Sequence, residues 1–378
     1  MIESSPVRIR SALLWVFLIL PVAGFSANIV VPTMEMITHG STVGNVFQLQ
    51  TYGNFDIEIQ GGYKFGGKIS VGLLNETNLE ASGTSTALNF LGASMTVRDI
   101  FDAPVNVSYF VGQTDIFCSG SGFAQFGAAP IMTRYRGFLY FPNTNAAVAP
   151  IYDGIYQVQG TGAKVEYTPL ADRLSFDGYF YEDTHFPGFT TLGNYSGDLR
   201  VLYNNDMVKL EGFLGATYAG SAPVGLYRGG VLFYAANSAV EFLAQVGIPR
   251  WDPKVDPLSV NLFYILVEQR LHMGVISIVP TFFWHPGSYN QLSYASEVGA
   301  FDVNLNIYYD QAAKSALQGG AEGNFRFQSS AGTFQWSVSP WLGFTTSGIL
   351  CTMKVNFNLW PFNLPSLVDA FVGVRAEL

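Results

Sequence analysis

The sequence predicts an all-β protein that crosses a membrane as a single antiparallel β-barrel. Three observations predict this fold: a low content of charged residues, alternation of apolar and polar residues along most of the chain, and strands long enough to span a bilayer. Of the 378 residues, 49% are hydrophobic and only 12% are charged, whereas soluble domains carry roughly 25% charged residues. Part of the protein surface is therefore expected to face lipid.

A helical membrane domain and a nucleic-acid-binding domain are both excluded. After the N-terminus, polar residues interrupt every apolar run before it reaches the roughly 20 residues that a membrane-spanning helix needs. The chain carries a formal net charge of -9, which would repel a phosphate backbone, so no nucleic acid is expected as a partner. Cys118 and Cys351 have neither metal-ligand spacing nor the pattern of a disulfide framework.

The chain is predicted to begin with an export signal. Residues 1–26 contain Arg8 and Arg10, then an apolar stretch over 12–20, then small residues that end at Ser26. This is the layout of a secretory signal peptide, and cleavage after Ser26 is expected. Residues 27–45 show no clear alternation, so they form a lead segment that could enter the barrel as a plug. The barrel itself is predicted over residues 46–378.

Period-two alternation is the main indication of strands. Phe55, Ile57 and Ile59 alternate with Asp56 and Glu58, and a strand places such alternate residues on opposite faces of a sheet. Similar runs recur over 63–73, 208–214, 301–307 and 351–359. The alternating runs number between 14 and 18, and bacterial single-chain barrels have an even number of strands. We therefore expect about 16 strands, within that range.

A β-sandwich also alternates, so the choice of a membrane barrel depends on what occupies each face. The polar positions are mostly Asn, Ser, Thr, Gln and Gly with scattered ions, whereas the outer face of a sandwich is usually rich in charge. The strands run near ten residues, the length that a membrane-spanning strand needs. A spanning sheet has to close on itself, because lipid cannot hydrogen-bond an open edge.

The C-terminus carries a more specific pattern. Gly373, Ala376 and Leu378 have the spacing of a glycine, an apolar residue and an apolar end within an alternating final strand. This resembles the closing strand of bacterial outer-membrane β-barrel proteins of the porin-like kind, in which that strand is the assembly signal. The resemblance implies residence in the cell outer membrane of a diderm bacterium. It also implies contact with outer-membrane lipid and the barrel-assembly machinery, and homo-oligomers, which are common among porins.

Charged residues at the polar positions are predicted to line the lumen, because Arg or Lys facing lipid at mid-depth costs about 2–4 kcal/mol. Both signs occur among them, as expected for a lumen that tunes ion selectivity, although any of them could simply neutralise a neighbour on the next strand. The predicted lumen-lining residues are Arg134, Arg136, Lys209, Glu211, Arg228, Glu241, Asp302, Glu322, Arg326 and Lys354.

The remaining segments leave alternatives open. Residues 113–131 could fold inward as a constriction loop or outward as a surface loop. The four histidines have no metal-ligand spacing, and no motif indicates a cofactor, so no metal, cofactor or catalytic residue is expected. An enzyme is disfavoured; His285, beside an aromatic run, would be the first candidate.

The leading functional hypothesis is a channel for passive diffusion of small hydrophilic solutes, based on the polar alternate faces. The first alternative is a transporter of hydrophobic substrates with a plugged lumen, similar to long-chain fatty-acid transporters. The second is a structural or adhesive surface barrel.

Overall fold

The structure is a computed structural model, and it describes residues 27–43, 46–61, 63–78, 83–128, 131, 154–184, 193–219, 225–286, 300–309, 317–328 and 332–377. These residues form one antiparallel sheet of 18 strands. The strands are β1 (Ala27–Val43), β2 (Val46–Gly61), β3 (Phe65–Asn78), β4 (Gly83–Val97), β5 (Val105–Phe117), β6 (Tyr156–Leu170), β7 (Leu174–Asp183), β8 (Asn194–Asn204), β9 (Val208–Ala219), β10 (Gly225–Ala236), β11 (Val240–Trp251), β12 (Tyr264–Met273), β13 (Ile276–His285), β14 (Ala300–Tyr309), β15 (Leu317–Gln328), β16 (Thr333–Thr346), β17 (Ile349–Trp360) and β18 (Val368–Glu377).

The sheet closes into a barrel because its first and last strands pair. Each strand pairs with its neighbours in sequence, and β18 pairs with β1, for example Val374 with Met36. The prediction of a single antiparallel barrel is confirmed. The strand number is 18, two above the expected 16 and at the upper limit of the range. None of the helical segments in the described ranges has the length and apolar content needed to cross a membrane.

The lead segment differs from the expectation of a plug: residues 27–43 form β1 and pair with β2 and β18. Two features hide the alternation of this strand. A bulge between Val30 and Thr33 shifts its register against β2, and Thr38 occupies a position on the apolar face. Its hydroxyl lies 3.0 Å from that of Thr51 on β2, so each polar group has a partner within the sheet. Residues 1–26 lie outside the described residues, and the signal peptide stays a prediction.

The two ends of the barrel differ in their connections. At one end the strands are joined by two to seven residues, as at 171–173 and 274–275; we call this the short-turn end, and β18 finishes there. At the other, which we call the long-loop end, the connections include 118–155, 252–263 and 286–299.

The alternation separates two different environments on the wall. On β8 and β9, Leu199 and Leu214 are 69% and 71% exposed on the outer face, whereas Asp198, Arg200 and Glu211 are at most 2% exposed on the inner face. In membrane-spanning barrels, an apolar outer face of this kind is the one that contacts lipid. The inner face surrounds the lumen, which positions the candidate site.

Candidate functional site

The first part of the connection after β5, residues 118–128, folds into the lumen. We call residues 118–128 the inner loop; it begins at Cys118 and contains a short 3₁₀ helix over Ser121–Phe126. Cys118 and Phe123 are fully buried, in one apolar cluster with the lumen side chains Phe213 and Leu243. The direction that the sequence left open is therefore inward, and the lumen is narrowed on this side.

Buried polar side chains of three strands hold the start of the inner loop. The Cys118 amide donates a hydrogen bond to Glu211 Oε1 at 2.7 Å, and Gln245 Nε2 donates to the Cys118 carbonyl oxygen at 2.7 Å. Tyr264 OH in turn donates to Gln245 Oε1 at 2.9 Å. Because a buried amide or carbonyl without a partner costs about 1–3 kcal/mol, these contacts from β9, β11 and β12 fix where the loop lies.

Two glycines allow the close packing of the loop. Gly120 has a φ of 79°, which L side chains rarely adopt, and a Cβ there would collide with the carbonyl oxygen of Ile131. A Cβ at Gly122 would collide with the guanidinium of Arg200. Gly120 therefore permits the contact with Ile131, and Gly122 permits the packing of the loop against β8.

The inner loop extends towards the short-turn end. Lys209 is the second residue of β9, next to the short turn, and its Nζ lies 5.5 Å from the centroid of the Phe123 ring. This contact is a cation–π arrangement. Burial and the nearby Glu211 carboxylate raise the pKa of the Cys118 thiol above its ordinary value, so the thiol at the start of the loop stays protonated.

Arg200 is at the centre of a buried ionic network behind the loop. Its Nε donates to Glu211 Oε1 at 2.8 Å, and its Nη1 lies 3.7 Å from Asp177 Oδ2 and 3.9 Å from Asp115 Oδ1. Lys164 Nζ donates to Asp115 Oδ2 at 2.9 Å. Carboxylates outnumber cations in this network, and breaking such a buried pair is expected to destabilise a fold strongly.

Arg228 organises a second buried network nearer the long-loop end. Its Nε and Nη2 donate to the two carboxylate oxygens of Asp198 at 2.7 and 2.8 Å, and its Nη1 donates to Thr217 Oγ1 at 2.6 Å. The guanidinium carbon lies 4.2 Å from the centroid of the Tyr156 ring. This bidentate pair joins β8 to β10 across β9, so it stabilises the barrel wall.

A third network lies on β11 and β12. Arg270 donates from Nη1 to Glu241 Oε2 and from Nε to Glu268 Oε1, both at 2.7 Å. His272 Nε2 lies 3.0 Å from Glu241 Oε1. Glu241 therefore lies on the inner face of the wall, together with Glu268 and Arg270, which were not in the predicted set.

Four of the predicted residues form two ion pairs between neighbouring or nearby strands. Arg326 Nε and Nη2 donate to the two oxygens of Asp302 at 2.8 and 3.1 Å, and Lys354 Nζ donates to Glu322 Oε2 at 3.2 Å. The Arg326 side chain is 29% exposed while Asp302 is fully buried. The cation of the Arg326–Asp302 pair is thus the member that reaches water.

The lumen face of β2 and β3 carries an ionic pair that is more open to water. Lys68 Nζ lies 3.0 Å from Asp56 Oδ2, with side chains 45% and 17% exposed. Ser70 Oγ donates to Asp56 Oδ1 at 2.6 Å. These residues occupy polar positions of the alternation over 55–73, the positions that the sequence predicts to face the lumen.

The structure places eight of the ten predicted lumen-lining residues on the inner face of the barrel: Lys209, Glu211, Arg228, Glu241, Asp302, Glu322, Arg326 and Lys354. Arg134 and Arg136 lie outside the described residues. The main lumen residues that were missed are Asp115, Asp177, Asp198, Arg200, Glu268 and Arg270. Weaker alternation over 174–180 and 199–203 puts two of these six, Asp177 and Arg200, at polar positions, and this is the signal that could have found them.

The final strand has the alternation that the assembly signal requires. Val372 and Val374 are exposed on the outer face of β18, Gly373 and Ala376 are buried, and Leu378 lies outside the described residues. The pairing of β18 with β1 and β17 makes it the closing strand of the barrel. Its recognition by an assembly machinery stays a prediction.

The histidines of the described ranges are separate from one another. His39 stacks on Phe371 with centroids 4.4 Å apart, His272 belongs to the third network, and His285 is 3% exposed, with Nε2 4.0 Å from Asp302 Oδ2. Within the described ranges, no group of three His, Cys, Asp or Glu side chains is placed to hold a metal ion.

Comparison with known proteins finds similarity at the level of fold. No family model and no curated protein sequence match the chain. Among solved structures, it is similar to Pseudomonas aeruginosa OprD, with a TM-score of 0.55 and 8% identity over 94% of this chain and 96% of that one. It is also similar to OpdK of the same species with vanillate (TM-score 0.52, 9% identity, 94% and 100% covered). OccK2 of that species, in complex with glucuronate, gives a TM-score of 0.50 and 11% identity, with 93% and 98% covered.

At such low identities the similarity concerns the fold, and it agrees with the closed antiparallel wall. By its fold, the chain is a porin-like β-barrel.

Proposed function

We propose that the protein is an outer-membrane channel for passive diffusion of small hydrophilic solutes. The observation that carries the proposal is the hydrophilic, partly water-exposed inner face of β2 and β3, with Lys68, Asp56 and Ser70 in contact with one another. Water and polar solutes can exchange hydrogen bonds with such a face at little cost. The proposal assigns no catalytic step to the chain.

The inner loop supports a channel with a narrow lumen. The loop and the side chains that hold it occupy the part of the lumen next to β8–β12, which leaves a smaller cross-section than an 18-stranded wall alone would enclose. Of the solved structures with this fold, OpdK was determined with vanillate and OccK2 with glucuronate. Both are small organic solutes, and we expect solutes of similar size here.

The transporter of hydrophobic substrates was suggested by the low charge and the apolar content, with residues 27–45 as its candidate plug. Residues 27–43 belong to the wall, so this segment does not supply the plug and the hypothesis is not preferred. A structural or adhesive barrel would have an outer surface like this one, but it would not need a hydrophilic inner face.

The orientation of the barrel in the membrane is proposed from its loop lengths, and its partners are proposed from the C-terminal pattern and the apolar outer face. Outer-membrane barrels have short periplasmic turns and longer extracellular loops, so we assign the short-turn end to the periplasm. We further propose that Gly373, Ala376 and Leu378 act as the signal for the barrel-assembly machinery, that outer-membrane lipid covers the apolar face, and that the protein forms a homo-oligomer. Chemical cross-linking of the protein in outer-membrane vesicles tests the last point.

Single-channel recording tests the function. Folded protein, identified by its faster migration in unheated gel samples, is added to a planar lipid bilayer. Discrete conductance steps are expected, and the same preparation after heating should give none. Folded protein that inserts into the bilayer without conducting would contradict the proposal and favour a structural or adhesive role.

A further inference from the structure

The lumen wall has two sectors that differ in how well their short side chains are covered. We define the filled sector as the inner face of β7–β13, and the wet sector as the inner face of β2–β4. Serine is a useful reporter of this difference, because its side chain is too short to bury itself and is covered only if something packs above it. Ser175 and Ser196 in the filled sector are 0% exposed, whereas Ser70 and Ser94 in the wet sector are partly exposed.

The inner loop explains the coverage of the filled sector in large part. Its contacts go to Arg200 on β8, Glu211 on β9 and Gln245 on β11. The space beside these strands contains an apolar cluster that includes Phe117, Phe123 and lumen side chains of β6–β13. A solute cannot pass through a region packed in this way.

The wet sector begins across the lumen from the loop. In a closed ring of 18 strands, β2 is nine strands away in either direction from β11, which contacts the loop through Gln245, so β2 and β11 face each other. The free cross-section is therefore expected along β2–β4.

The charged groups of the two sectors have correspondingly different roles. Arg200, Glu211 and Arg228 are at most 5% exposed and are held by hydrogen bonds from the wall and the loop, so they stabilise the structure. Lys68 and Asp56 are 45% and 17% exposed. A charge that keeps contact with water in a narrow channel acts directly on passing ions.

We infer that solutes pass along the inner face of β2–β4, and that Asp56 and Lys68, with Ser70 beside them, are the specificity-determining residues of the channel. This inference rests on the proposed channel function and adds the route within it. It assigns no solute contact to Glu211 or Arg228.

Cysteine modification tests the route, with serines as matched positions. Ser70→Cys and Ser175→Cys are made in the full-length protein, and a charged, water-soluble methanethiosulfonate is added during single-channel recording. The Ser70→Cys channel is expected to lose part of its conductance in a step, while Ser175→Cys and the wild type are expected to be unchanged. The wild type is a suitable control because Cys118 is fully buried and Cys351 pairs with outward-facing Val374.

A second pair, Ser94→Cys and Ser196→Cys, replaces the first if either variant fails to give the fast-migrating folded form. A response at the filled-sector cysteine, or a conducting wet-sector variant that is modified without any change of current, would overturn the inference and leave the channel function intact. Folded wild type that never conducts would refute the channel function itself, and the inference with it.

A charge substitution tests the specificity of the route. Asp56→Asn is expected to shift the reversal potential in a salt gradient towards anion permeation, and Lys68→Gln is expected to shift it towards cation permeation. Equal reversal potentials for the two variants and the wild type would show that this pair does not act on passing ions and would overturn its assignment.

Discussion

Glu211 links the barrel wall to the inner loop, and removing its carboxylate is the most informative perturbation. Its Oε1 accepts hydrogen bonds from Arg200 Nε at 2.8 Å and from the Cys118 amide at 2.7 Å, and the side chain is 0% exposed. The variant Glu211→Ala leaves the Arg200 guanidinium without its nearest partner and the loop amide without its acceptor. Both groups stay buried, so water cannot replace the lost contacts without rearrangement.

The magnitude follows from these contacts. Removing one partner of a buried ion pair costs about 3–5 kcal/mol. Arg200 keeps Asp177 and Asp115, at 3.7 and 3.9 Å, and these remaining partners bring the cost of breaking the ion pair towards its lower limit. The unsatisfied amide adds about 1–3 kcal/mol. We expect Glu211→Ala to lower the free energy of unfolding by about 4 kcal/mol. Glu211→Gln keeps an acceptor oxygen for the amide and should lose about 1 kcal/mol less.

Urea unfolding in detergent micelles, followed by tryptophan fluorescence, measures this loss. Asp102→Ala is the control, because Asp102 also forms an ion pair, with Lys64 at 3.0 Å, but the two side chains are 90% and 52% exposed. Such exposed pairs contribute about 1 kcal/mol or less. If Glu211→Ala destabilised the protein no more than Asp102→Ala, the reasoning about the buried network would be refuted.

Three further predictions concern the lumen and the loop. On the inner face of β2 and β3, Lys68 lies beside two carboxylates, Asp56 and Glu58, so the reversal potential in a potassium chloride gradient should indicate a preference for cations, and an anion preference would contradict the charge argument. Gly120→Ala should increase the amplitude of the fluctuations in single-channel current, because a Cβ at Gly120 collides with Ile131. Gly127→Ala is the control: Gly127 has a similar positive φ, but a Cβ there meets nothing within 4 Å, so the current should stay closer to that of the wild type. Equal effects of the two substitutions would argue against the collision. Because the pKa of Cys118 is raised by burial and by Glu211, its thiolate forms only at higher pH, so maleimide labelling of folded protein at about pH 8 should be far slower than for an ordinary thiol. Labelling at the rate of the urea-unfolded protein would show that the start of the loop is open.

The wall could be predicted from the sequence because alternation is a local property. Residues 55–59 are enough to assign which side of β2 faces lipid, and the same holds for 301–307 on β14. The prediction of 16 strands was low partly because β1 contains a bulge and polar Thr38 on its outer face. A strand whose irregularities are compensated by its neighbours cannot be recognised without those neighbours.

The ionic partners could not be predicted to the same extent. Arg228 meets Asp198 from a strand two positions away, and Arg200 meets Glu211 and Asp115 from different strands. These partners depend on the relative register of the strands, and local alternation contains no information about register. The inner-face residues were thus identified in part, and their pairings were not.

Alternation by itself determined that this protein has an apolar side and a polar side along each strand, because neighbouring side chains in a strand point in opposite directions. Only the tertiary structure decided that β1 completes the wall, that the segment after β5 turns inward, and that many of the lumen charges are buried under it. These features depend on contacts between residues far apart in the chain, such as Cys118 with Glu211 and Gln245, and such contacts form only once the barrel has closed.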